Sequence, residues 1–183
     1  VVASPGTQNM SLVTSMDRDP FFEVYSAADE RSAAYIACGM AAETGETVVL
    51  SCTGATASRN YIPGLTEAFY RHLPIVAITS TERVTAVGHN IAQVIDRGTL
   101  LNDIAKMSVL ARCVDVEDDA WDCLIQVNKA LLELNHHGRG PVHINLEKST
   151  SDIYSVEQIP VSRKIERVCL GDAFPELDKG KIA

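Results

Sequence analysis

The sequence lacks any uninterrupted apolar run near the roughly 20 residues that a membrane-spanning helix needs, so no such helix is expected. It has no basic excess either: the formal charge is -8 at pH 7. Phosphate backbones need a basic surface to displace their counterions, so nucleic acid is not an expected partner. Neither G-x-G-x-x-G nor G-x-x-x-x-G-K-[ST] occurs, which removes the standard dinucleotide and nucleotide cradles. No C-x-x-C pair links Cys38, Cys52, Cys113, Cys123 and Cys169, an odd set that argues against a disulfide framework or a zinc site. Cys38 and Cys52 sit in apolar surroundings and read as small hydrophobes. A reduced, cytoplasmic protein is the expectation. Val1-Val2-Ala3 has no basic flank and no apolar run behind it, so it does not read as a signal peptide. Internal repeats and low-complexity tracts are also missing.

What is present is ordinary for a globular chain: 183 residues, 46% hydrophobic and 22% charged, enough for one domain with a real core. Short β-rich runs alternate with longer helical stretches. That pattern predicts an α/β fold of three layers (α/β/α) around a central parallel sheet. The predicted strands are Val1-Val2-Ala3, Phe21 to Tyr25, Thr47 to Cys52, Ile75 to Thr79, Met107 to Val114 and Pro141 to Leu146. Predicted helices run from Thr7 to Met16, from Asp29 as cap to Gly45, and from the Thr53-Gly54 turn to about His72. The second of these would bury a stripe of Ala33, Ile36, Ala37 and Met40. A last helix follows from the four-three spacing of Ala120, Leu124, Val127, Leu131 and Leu134, and Trp121 reads as core. Residues 82–98 read as a long loop with short helical pieces.

Three turns fall at the carboxyl ends of predicted strands: Pro5-Gly6-Thr7, Asp29-Glu30-Arg31 and Thr53-Gly54-Ala55. In an open α/β sheet, ligands bind at that edge. Glycines let backbone approach a ligand, and helix N-termini offer free N–H groups. Glu30 is the carboxylate to single out. An acid in a first helical turn favours the helix dipole by about 0.3–1 kcal/mol, and that structural reading stands beside a functional one. His136-His137 precede Gly138 and read as helix-terminal residues, His143 as a buried, hydrogen-bonded histidine. No metal ligands are expected.

Several segments carry a resemblance. Asp29-Glu30-Arg31-Ser32-Ala33-Ala34-Tyr35, with Gly39 and Ala41, resembles the glutamate-bearing helix of thiamine-diphosphate enzymes such as acetolactate synthase. The Asp-Glu-Arg form is most similar to SEPHCHC synthases, carboligases of menaquinone biosynthesis. Ser4-Pro5-Gly6-Thr7 is similar to their first turn, and Thr53 to Pro63 matches their third turn without a gap. Leu73 to Thr79 and Gly140 to Asn145 resemble later strands, and Gln93-Val94-Ile95-Asp96 resembles a Gln-Glu-Val-Asp stretch of acetolactate synthase. The ordered set spans the chain to about Lys148.

The resemblance implies a domain that holds the aminopyrimidine of thiamine diphosphate. Glu30 would hydrogen-bond the ring N1′ and favour the imino tautomer that removes the thiazolium C2 proton, the cofactor carrying the chemistry. Burial would raise the carboxyl's pKa and the helix N-terminus would oppose it, a balance the sequence leaves open. Pro5, Gly6, Thr7, Thr53, Gly54, Asn60 and Gln93 are then expected at the cofactor. Gln8, Asn9, His89 and Asn90 are weaker candidates for the substrate. For Gly6, Thr7, Thr53 and Gly54 the bland alternative is turn chemistry, for Asn60 helix surface or a subunit interface, and for Gln93, His89 and Asn90 loop polarity. Mg²⁺ and the diphosphate would be held by another domain, of the same or a partner chain, through a Gly-Asp-Gly…Asn motif that is not found here. A homodimer or tetramer acting on a 2-oxo acid is implied.

One departure concerns substrate. SEPHCHC synthases typically carry an arginine after the first turn, where this chain has Gln8. A neutral amide cannot clamp a carboxylate bidentately, which leaves the menaquinone substrate and another 2-oxo acid both open. Residues 1–149 form the expected domain, and 150–183 a linker toward a following domain, both ends reading as cut. Two alternatives remain: a separate subunit of a split sulfopyruvate- or phosphonopyruvate-type decarboxylase, and a non-catalytic doubly wound domain for ligand binding or assembly.

Overall fold

The computed structural model describes residues 1–148. Calls on residues beyond 148, Cys169 and the linker among them, lie outside the described residues. Six strands form one sheet: β1 (Val2–Ala3), β2 (Tyr25–Ser26), β3 (Val48–Cys52), β4 (Ile75–Thr81), β5 (Met107–Ala111) and β6 (Val142–Glu147). Their order is β2-β1-β3-β4-β6-β5, and every neighbouring pair is parallel. All strand C-termini therefore open onto one edge.

Side chains alternate along each strand between two cores. Val48, Leu50 and Cys52 of β3, with Ile75 and Ala77 of β4, face α2 (Glu30–Thr44), α3 (Ala55–Asn60) and α4 (Ile62–Tyr70). Val76 of β4, Val109 and Ala111 of β5, and Val142 and Ile144 of β6 face α5 (Glu117–Glu133). The predicted three-layer α/β fold is the observed one.

Helix α2 starts where the Asp29 carboxylate accepts the Ser32 N–H at 2.7 Å and stops at left-handed Gly45. Its buried stripe is Ala33, Ala34, Ala37, Cys38 and Ala41. Ile36, expected inside, is exposed and Met40 only packs at the margin, because small residues alone allow α4 to come close. At Gly64 an added Cβ would lie 2.5 Å from the Ala34 Cβ, and Cys38 Sγ reaches the Gly64 carbonyl at 3.2 Å.

Other boundaries differ from expectation. The first helix, α1, is Met10–Arg18, since residues 7–9 are spent in the β1 turn. Phe21 is 84% exposed and β2 is only two residues long, so the Phe21 to Tyr25 run is not a strand. The single helix expected to His72 breaks at Tyr61, where Pro63 begins a new helix that needs no N–H there. Strand β5 ends at Ala111 rather than Val114. Trp121 is 50% exposed, one position off the α5 stripe, and is not core. Residues 82–98 form the predicted loop, with a 3₁₀ turn at Val84–Ala86, and it continues to residue 106 without a strand or α-helix, yet it sends Arg97 and Ile104 into the interior. Among the described residues no helix is long and apolar enough to cross a membrane.

Candidate functional site

Strands β2, β1 and β3 lie side by side, so the turns bearing Glu30, Gly6 and Gly54 meet at one edge. The β1 turn is pinned from inside by Asn9. Its carbonyl oxygen accepts the Gly6 N–H at 2.9 Å, and its amide donates to Ser4 O at 3.3 Å and Ser51 Oγ at 3.1 Å. Asn9 is almost wholly buried. It is a fastening of the turn, not the substrate contact expected, because its polar atoms are already engaged.

Gln8 is also committed. Its Oε1 accepts the Gly54 N–H at 2.8 Å, its Nε2 donates to Glu82 Oε1 at 3.2 Å, and its carbonyl accepts from Ser80 Oγ at 3.0 Å. One residue thus ties the ends of β1, β3 and β4 together. Both glycines are required by close approach. A Cβ on Gly54 would meet the Ser80 carbonyl oxygen at 2.6 Å, and one on Gly6 would overlap the Thr53 methyl. The turn ends on Ala55 at φ 52, a left-handed strain that side chains tolerate only under constraint.

Glu30 opens α2 and is half-buried. No hydrogen bond engages its carboxyl among the described residues. It shares the helix face of Ala34, four positions on, which is the face turned to Gly64 of α4. Behind it stand Cys52 and Tyr61, whose ionisation its charge opposes. Burial, foremost, pushes the Cys52 thiol up to about 12 and the Tyr61 phenol well above its usual range, so both stay protonated. Tyr61 is fully buried, and its hydroxyl and that of Ser4 make no hydrogen bond of normal geometry. The Tyr61 hydroxyl instead makes loose contacts with Cys52 and Ser4 at the back of the Glu30 turn.

Of the expected cofactor residues, Pro5, Gly6, Thr7, Thr53 and Gly54 are brought together with Glu30. Asn60 is exposed at the end of α3, and His89, Asn90 and Gln93 are exposed on the 82–106 segment. No hydrogen bond ties these four to the turns. Asn90 and Gln93 both hold left-handed backbone, at φ 55 and φ 63.

A second polar group lies deeper. Arg97, 8% exposed, donates to Thr79 Oγ1 at 2.6 Å and to the Ser80 carbonyl. The same Thr79 hydroxyl is hydrogen-bonded to His143 Nε2, 2.8 Å away. The His143 Nδ1 is hydrogen-bonded to Ser108 Oγ at 2.9 Å, so both ring nitrogens are engaged. Burial, then the Arg97 and Arg59 charges, lower the His143 pKa to about 3, so the ring is neutral. Buried Arg97 itself is lowered to about 10, by desolvation, and stays charged. His136 ends α5 as expected, with Nδ1 3.1 Å from the Glu133 carboxylate. The described residues contain no cluster of His, Cys, Asp or Glu able to hold a metal ion.

Residues 1–100 match the family described as thiamine pyrophosphate enzyme, N-terminal TPP binding domain. The chain belongs to this family. It is similar to the 2-succinyl-5-enolpyruvyl-6-hydroxy-3-cyclohexene-1-carboxylate synthase of Bacteroides thetaiotaomicron, 38% identical over 91% of this chain and 30% of that protein. The synthase of the same name from Porphyromonas gingivalis is 39% identical over 80% of this chain and 26% of its own length. The Bacteroides fragilis synthase is 35% identical over 91% of this chain. The chain thus spans about 30% of the length of the first of these relatives. Sequence reasoning reached the family through the turns but missed Tyr61, Cys52 and Arg97. For Tyr61 a signal existed: it sits just before the Ile-Pro that restarts the helix, where a cap residue is usually small and polar.

Proposed function

We propose that this chain is the pyrimidine-binding part of a thiamine-diphosphate-dependent 2-oxo acid decarboxylase or carboligase, with Glu30 as its proton-handling carboxyl. The observation that carries the reading is the half-buried, unengaged Glu30 carboxyl at a strand-end edge, flanked by two turns whose glycines leave room no side chain could. When bound, thiamine diphosphate supplies the electron sink for loss of CO₂ from a 2-oxo acid. Glu30 would hold or release a proton at a ring nitrogen, and the protonated Tyr61 and Cys52 behind it keep a second negative charge from competing. The turns at Gly6 and Gly54, fixed by Asn9 and Gln8, would orient the aminopyrimidine. Pro5, Thr7 and Thr53 would line its pocket, and Asn60 and Gln93 would approach only from neighbouring surfaces.

Mg²⁺ and the diphosphate fall to another domain, of the same or a partner chain, in a dimeric or tetrameric cytoplasmic enzyme. Residues 1–149 act as the pyrimidine domain and 150–183 lead onward from it. The relatives' shared name favours 2-succinyl-5-enolpyruvyl-6-hydroxy-3-cyclohexene-1-carboxylate as the product. A succinyl group is what 2-oxoglutarate leaves after losing CO₂, so 2-oxoglutarate is the donor to try first. The Gln8 amide, already bound to Gly54 and Glu82, cannot clamp its carboxylate, which must be met elsewhere.

The test is release of CO₂ from 2-oxoglutarate, with pyruvate for comparison, by the full-length protein given thiamine diphosphate and Mg²⁺. Glu30→Gln should lower turnover by about 100-fold or more with the fold intact by circular dichroism. Undiminished turnover in that variant refutes the role of Glu30.

A further inference from the structure

A cavity of about 20 Å³ lies beneath the α3–α4 break, between β4, β6 and the stretch 97–104. Its polar wall is Ser58, Arg59, Thr79, Arg97 and His143, and aliphatic side chains complete it. Two arginine residues, Arg97 buried and Arg59 exposed, therefore line a space little larger than one water molecule. Neither is paired with a carboxylate: Arg97 spends its terminal nitrogens on Thr79 Oγ1 and Ser80 O, and Arg59 donates to the Asp96 carbonyl at 2.9 Å. Arg97 is more than nine-tenths buried, and its Nε–H has no acceptor. Its positive charge and that of Arg59 repel across the gap. His143, neutral and with both ring nitrogens hydrogen-bonded, offers no counter-charge.

A buried ionised group without a partner is costly, and a lone buried donor adds to that cost. Water in the cavity could satisfy the Nε–H but would bring no charge. A monatomic anion satisfies the donor and offsets both guanidinium groups at once, within the volume at hand.

We propose that the cavity between Arg59 and Arg97 is a binding site for one monovalent anion of about chloride size, which fastens the 97–104 stretch to the α3–α4 pair. Anion binding is read here without thiamine diphosphate, so it stands or falls separately from the cofactor assignment.

The test is bromide, a halide with anomalous scattering. Crystals of the protein soaked in sodium bromide should show an anomalous peak between the two guanidinium groups. In solution, chloride or bromide should raise the melting temperature by about 2–4 °C over gluconate at equal ionic strength, saturating with concentration. Arg59→Gln, at an exposed position, should move the midpoint of that titration at least tenfold upward. Arg97→Met should remove it. No peak, equal melting in chloride and gluconate, or an unmoved midpoint in Arg59→Gln overturns the proposal. A response to acetate with none to bromide overturns it equally, since it would call for a larger, open site.

Discussion

Gln8 Oε1 accepts the backbone N–H of Gly54 at 2.8 Å, across 46 positions of sequence. This bond joins the turns after β1 and β3, and among the described residues Oε1 is the acceptor found for that part-buried N–H. Gln8→Ala should therefore cost about 1–2 kcal/mol in urea unfolding, the usual penalty for stranding a buried donor. A cost below a few tenths would mean that the turns are joined by other means.

Gly54 and Gly6 should differ in tolerance. The Cβ of Gly54→Ala would press on a backbone carbonyl, that of Ser80, which cannot turn aside. We expect a loss of about 1–3 kcal/mol and weaker retention of thiamine diphosphate. Gly6→Ala meets the Thr53 side chain instead, so its loss should be smaller and recovered in part by Thr53→Ser. Equal losses, or no recovery in the double variant, would contradict this ranking.

Stability should fall in mild acid because of His143. Its pKa drops from 6.5 to about 3 on folding, so between those values the unfolded chain binds the proton and the folded one does not. The contribution is complete above pH 6.5 and declines as pH falls, by at most about 1.4 kcal/mol per pH unit. Urea midpoints measured from pH 7 to pH 4 should follow that decline, and His143→Gln should flatten it. A variant with the same slope as the parent removes His143 from the account.

Cys38 and Cys52 should resist alkylation. Burial raises their thiols to about 11 and about 12, and the thiolate is the nucleophile. With iodoacetamide at pH 8, mass spectrometry of the native protein should find both unmodified after Cys113 has reacted, and both labelled in urea. Early labelling of Cys52 would show that the Glu30 turn opens readily.

Every strand but β2, two exposed residues, was legible as an apolar run, and α2 was marked at both ends by Asp29 and Gly45. The turns of the candidate site were legible for a related reason, since glycine and an N-terminal acid are local signals. What failed was non-local. The burial of Ala34 in place of Ile36 is set by how closely α4 approaches, and the exposure of Trp121 by which side of α5 meets the sheet. Asn9 looked like a ligand contact until Ser51, distant in sequence, proved to be its partner. Arg97 gave no sign of entering the core, because its partners Thr79 and Ser80 belong to a strand that precedes the loop carrying it.

The contact of Ala34 with Gly64 lies one helical turn below Glu30. Only the Ala34 methyl stands between the two backbones there, with no room for a second, so the height at which the acid stands above the sheet is governed from underneath, by a residue that never faces a ligand. Swelling position 64 would act as a shim: the first turn of α2 would lift, and the reach of the acid would change while every group around it kept its identity.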